Sequence, residues 1–181
     1  MSTVLEKKYK KIFDDYFKRQ VEEWEKISGH KPLMAYDEKI DKEFYISKAN
    51  DDDEAEWQPL PIESVDWGKI ESKLGFKLQD ELKAFYGAYR FLECSGKIEN
   101  EEYVIKNFGV NNELETDIVN RLVTSIDSKM QLFYIGSINS ETQLLYSNYN
   151  GKMYINDEDM DIDLQEFKYN MSEIIEKMSG M

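Results

Sequence analysis

Asn150-Gly151 stands between two runs rich in β-branched and aromatic residues, 143–149 and 152–155. Asn and Gly both accept the positive φ values of a tight turn, so an antiparallel hairpin is predicted there. The same composition continues upstream through 131–138. Both ends of the chain follow a helical period instead. From Leu5 onward Tyr9, Ile12, Phe13, Tyr16, Phe17, Val21 and Trp24 recur on one face, and Ser28-Gly29 followed by Pro32 ends the run. Near the C-terminus Leu164, Phe167, Met171, Ile174, Ile175 and Met178 trace a closing helix that Asp161 or Asp163 can cap. Helices first and last with an antiparallel sheet between them define an α+β fold.

The remaining segments fill in that plan. The stretch 30–57 is weakly patterned and reads as a surface loop, with a short strand possible at Phe44-Tyr45-Ile46. Trp67, Ile70 and Leu74 mark a short helix capped by Gly75, and a second begins near Leu78 and carries Leu82, Phe85, Tyr86 and Tyr89. Strands are expected at 91–98 and 103–108, then a helix at 113–129 that buries Leu114, Ile118, Leu122 and Ile126. No period repeats, so a solenoid is excluded.

A chain of 181 residues with 41% hydrophobic content is large and apolar enough for one folded domain. Its formal charge of −14 repels nucleic-acid phosphates and anionic lipid and attracts a basic protein surface. Cys94 is the only cysteine, so disulfides, Cys-based zinc clusters and CxxC redox pairs are excluded. The N-terminal residues 1–11 are polar, and no apolar run approaches the roughly 18 residues of a membrane span. A cytoplasmic location is expected. The sequon Asn170-Met171-Ser172 then reads as a chance match.

Catalytic signals are sparse. His30 is the only histidine, which rules out a multi-His metal site, and Cys94 has no base or cation beside it in sequence. No glycine-rich phosphate loop occurs among the nine glycines. Asp157, Asp159, Asp161 and Asp163 alternate like the donors of a calcium loop, but the sixth position lacks glycine and the twelfth is Lys168. Neither a metal nor a cofactor is expected. Two acidic clusters remain as candidate contact surfaces for a basic protein: Asp51, Asp52, Asp53 and Glu54, and Asp157, Glu158 and Asp159. Trp57, Tyr45 and Tyr154 are the aromatic residues placed to anchor such a contact.

Several segments carry a family likeness: Glu56-Trp57-Gln58-Pro59-Leu60-Pro61, Leu74-Gly75-Phe76-Lys77-Leu78 with its acidic helix start, Ala84-Phe85-Tyr86, Phe133-Tyr134-Ile135 and the closing helix 164–178. Together they resemble the Syd family of the SUKH superfamily. The resemblance implies a single α+β domain in which helices surround a bent antiparallel sheet with a concave, often acidic, protein-binding face. It divides the chain into an N-terminal helix 1–28, a variable loop region 29–62 and a core 63–181. It also implies stoichiometric binding without catalysis. Syd docks on basic cytosolic loops of the SecY translocon, which would make this chain peripheral to the inner membrane, whereas other SUKH branches are immunity proteins that neutralise bacterial toxins, many of them nucleases. The resemblance weakens across 28–52, and arginine occurs only at Arg19, Arg90 and Arg121 in a chain biased towards Lys, Asn, Ile and Tyr. Both departures favour the immunity reading over the SecY one.

Overall fold

The computed structural model describes residues 3–157 and 164–179. In chain order the elements are α1 (Val4–Ser28), β1 (Leu33–Ala35), β2 (Glu54–Glu56), β3 (Leu60–Pro61), α2 (Trp67–Leu74), α3 (Asp80–Tyr86), β4 (Tyr89–Arg90), β5 (Cys94–Ile98), β6 (Glu101–Ile105), α4 (Leu114–Asn120), β7 (Leu122–Val123), β8 (Leu132–Ile138), β9 (Thr142–Ser147), β10 (Met153–Asp157), β11 (Gln165–Glu166) and α5 (Met171–Lys177). The main sheet has seven antiparallel strands, ordered β11-β10-β9-β8-β6-β5 with β7 beside β8. Two small pairs, β1-β2 and β3-β4, stand apart from it. The α+β class expected from the residue pattern is the one observed.

Local chemistry explains α1. Thr3 and Glu6 form a capping box, and Gly29 closes the helix in the left-handed region at φ 78°. Tyr9, Ile12, Phe13, Tyr16 and Phe17 face the core. The Tyr16 hydroxyl accepts from Ser95 N at 2.8 Å and donates to Ser95 O at 2.7 Å, and the Tyr9 hydroxyl donates to Glu81 at 2.8 Å. These bonds tie the helix to β5 and α3 while satisfying two buried phenols.

The hairpin at Asn150-Gly151 forms between β9 and β10, but as a four-residue loop, 148–151. Ser147 N donates to Lys152 O at 2.9 Å, and of the two turn residues only Gly151 takes positive φ. The wider loop frees Asn148, whose Oδ1 accepts from Gln79 N at 2.6 Å and whose Nδ2 donates to Lys77 O at 2.9 Å. One side chain thereby staples the hairpin to the corner between α2 and α3.

Four expected elements differ from those observed. The 113–129 helix stops at Asn120, because Leu122 and Val123 pair with Phe133 and Leu132 and so cover the edge of β8. Tyr89 leaves α3 at Gly87 and joins β4. The closing helix begins at Met171, since Asn170 and Glu173 form a capping box there. Asn170, dismissed as part of a chance sequon, is therefore the helix cap; the proposed caps Asp161 and Asp163 lie outside the described residues. The 30–57 stretch contains an antiparallel pair, Leu33↔Glu56 to Ala35↔Glu54, and Phe44 closes a 3-10 turn rather than starting a strand. Its pattern is weak in sequence because the paired segments are separated by about twenty residues and each spans only three.

Glu71 holds the α2–α3 corner. Its carboxylate, 6% exposed, meets Lys77 Nζ and Lys83 Nζ at 2.6 Å each and accepts from Leu78 N at 3.0 Å. Burial opposes its ionisation, but the two ammonium groups and the amide prevail and bring its pKa down to about 2 from 4.5. A group depressed on folding stabilises fully above its unfolded value and loses that contribution as pH falls through about 4.5 towards about 2. Glu71→Gln is accordingly expected to lose about 2–3 kcal/mol at pH 7. In urea titrations the gap to the parent protein should close as pH approaches 2; a gap of constant size would refute this role.

Candidate protein-binding surface

The 51–54 cluster sits on a tight turn entering β2. Asn50 builds the turn: its Oδ1 accepts from Asp52 N at 3.0 Å and Glu54 N at 2.9 Å, while its own amide donates to Glu54 O at 2.8 Å. Asp51, Asp52 and Asp53 point into solvent and Glu54 is half-buried. Among the described residues none of the four forms an ion pair. The turn thus presents uncompensated carboxylates on a braced backbone. Beside it Tyr36 N donates to Asp53 O at 2.7 Å, the Tyr36 and Tyr45 ring centroids lie 4.9 Å apart, and Tyr36 and Ile46 are 38% and 37% exposed. Residue pattern pointed to Tyr45 but missed its exposed neighbour Ile46 and also Tyr36, whose ring meets that of Tyr45 from nine residues away.

This acidic module is bolted to the main domain by Arg90. The guanidinium contacts Asp41 Oδ2 at 2.6 Å, donates to Gly109 O at 2.9 Å and lies 5.1 Å above the Phe44 ring. Asp41 N adds a bond to Val110 O at 2.8 Å. Trp57, at the exit of β2, is 2% exposed and packs edge-on to Phe17 at 6.3 Å. In this conformation it belongs to the framework beneath the surface and offers no face to a partner.

Of the second cluster, Glu158 and Asp159 lie outside the described residues. Asp157 is exposed at the end of β10, opposite Thr142. The register carries that end through Ile138 to Tyr103, beside Glu102 and Asn139. The module bearing the first cluster is tied to the chain that runs on past the C-terminal end of β6, through Val110. Asp157 and that module's anchor are therefore at opposite ends of the sheet, although both clusters are equally acidic in sequence. Tyr154 is half-buried in β10 and accepts from Asn150 Nδ2 at 2.8 Å.

Cys94 is fully buried, and burial pushes its thiol pKa far up, so the thiolate a nucleophile needs is suppressed. The His30 ring lies 6.1 Å from that of Trp24 near the end of α1, tilted by 36°, and its Nδ1 lies 2.8 Å from Lys31 O. Among the described residues no group of three or more His, Cys, Asp or Glu is placed to hold a metal ion. No described helix is long and apolar enough to cross a membrane.

A family model described as Syd protein (SUKH-2) matches residues 10–158. The chain belongs to the Syd family. No curated protein matches it. Membership in the Syd family points to a protein-binding role. The Syd match begins inside α1 and ends beside Asp157, so it takes in the 51–54 turn, Arg90 and the sheet strands through β10.

Proposed function

We infer that this Syd-family chain is a non-catalytic, cytoplasmic binding module whose partner is a basic protein, foremost a cognate bacterial toxin domain such as a nuclease, which it neutralises at one-to-one stoichiometry. The observation that carries this reading is the 51–54 turn, with its carboxylates unpaired among the described residues and its backbone held by Asn50. Fixed negative charge of this kind accelerates encounter with a basic surface and sets its orientation, while Tyr36, Tyr45 and Ile46 supply apolar area beside it. The turn also overlaps the stretch 28–52, where the residue resemblance to Syd is expected to be weakest, as suits a specificity loop. Docking on basic SecY loops is the second reading, favoured by the breadth of the Syd match.

Purified protein used as bait in its native host, at low and then moderate salt, separates the two. Capture of a toxin domain whose activity the protein abolishes at equimolar ratio supports immunity; capture of SecY instead refutes it. Replacing Asp51, Asp52 and Asp53 with Asn and Glu54 with Gln is expected to slow association about tenfold at low salt and to flatten its salt dependence. The unfolding free energy should stay within about 0.5 kcal/mol of the parent. Unchanged stopped-flow association rates would remove this turn from the interface.

A further inference from the structure

The apolar stripe of α1 outruns the core. Tyr9 to Phe17 are buried, but Val21, next on the same stripe, is only half-buried and lines an open groove of about 450 Å³. Phe17 and Tyr89 form its floor, their ring centroids 5.7 Å apart. Pro59 and Pro61 make the facing wall, and Pro61 is held in place by pairing with Tyr89 between β3 and β4. Prolines have no N–H to satisfy and a fixed φ, so this wall is preorganised and asks nothing of a polar ligand.

Four polar side chains, Asp14, Lys18, Glu22 and Gln58, share the rim. Asp14 accepts a hydrogen bond from the Tyr89 hydroxyl and, among the described residues, has no cationic partner. Further along the helix Glu22 meets Lys18 only at 3.9 Å, with both side chains well exposed, which is worth little. The groove therefore combines an apolar floor with two carboxylates, Asp14 and Glu22, against one ammonium, Lys18, on a chain of net charge −14.

We propose that this groove between α1 and the Pro59–Pro61 wall seats an apolar side chain of the basic partner, with a neighbouring arginine of that partner paired to Asp14. The inference rests on the reading that the partner is a basic protein and adds a second contact, separate from the 51–54 turn. A partner gripped there would gain from apolar area that the fold itself leaves uncovered, and Asp14, positioned by Tyr89, would set the register of the bound segment.

The probe is the peptide Ac-Arg-Trp-Arg-NH2, titrated into the full-length protein and followed by amide chemical shifts, with Ac-Gln-Trp-Gln-NH2 as the uncharged control. Saturable shifts are expected at Val21, Gln58 and Tyr89, with binding about fivefold tighter for the arginine peptide. Asp14→Asn, an exposed change that leaves the fold alone, should abolish that preference, and Val21→Glu should weaken both peptides. Shifts confined to the 51–54 turn would overturn the groove while leaving the basic-partner reading intact. An arginine preference that survives Asp14→Asn, or no response at Val21 and Tyr89, would overturn it as well.

Discussion

Arg90→Met is expected to destabilise the protein by about 3–5 kcal/mol and to loosen the acidic module from the domain. The guanidinium side chain is 8% exposed and satisfies three groups at once: the Asp41 carboxylate, the Gly109 carbonyl and the face of Phe44. Its hydrogen bond holds the Asp41 carboxyl below the usual carboxylate range. Methionine fills much of the volume but leaves that carboxylate and carbonyl without a donor, and an unpaired, partly buried charge accounts for most of the loss. Urea denaturation measures the total. Hydrogen exchange locates it: amides of residues 33–56 should exchange faster than those of β8 and β9. Adding Asp41→Leu should restore part of the stability, because both charges are then gone. A loss below about 1 kcal/mol with unchanged exchange in 33–56 would show that the module is held by its apolar contacts instead.

Gly136→Ala is expected to cost about 3 kcal/mol or more and to lower the thermal midpoint by roughly 6–12 °C. Gly136 follows a bulge in β8, where the register with β9 slips between Tyr134 and Gly136. A Cβ at this position would lie 2.0 Å from Val104 O and 3.0 Å from Ile105 Cα, both backbone atoms of β6. No rotamer change relieves a clash with backbone, so the strands must separate and weaken the ladder at Val104 and Ile105. Gly68→Ala is the matched control. Its Cβ would meet nothing closer than Asp66 Oδ1 at 3.4 Å, and in the helical backbone of α2 the substitution should stabilise by about 0.5–1 kcal/mol. Calorimetric midpoints moving in opposite directions would bear out both; a tolerated alanine at 136 would mean that the sheet yields there.

Arginine shows how composition and structure speak differently about the same residues. It occurs at three positions, and two of them, Arg90 and Arg121, are 6% exposed. Both reach the same turn, Arg90 through Gly109 O and Arg121 through Asn107 O, and both lie over aromatic rings. A planar fork with several donors serves these roles where a lysine ammonium would not. Scarcity in the sequence thus conceals a structural use that only the spatial neighbours reveal.

The residue pattern by itself determined α1, the hairpin between β9 and β10 and the α+β order. In each case the deciding interactions lie within a few residues: a capping box at Thr3 and Glu6, a glycine at positive φ in Gly29 and Gly151, and a regular apolar period. Tertiary structure decided the rest. Leu122 and Val123 left their helical period to cover an edge of β8, Trp57 turned inward onto Phe17, and Val21 stayed half-exposed over Tyr89. The two acidic clusters look alike in sequence, yet Arg90 and Val110 tie the first one's module to one end of the sheet and the β9–β10 register sets Asp157 at the other. Burial, edge coverage and the grouping of charges depend on contacts between residues far apart along the chain, and a local period carries no record of them.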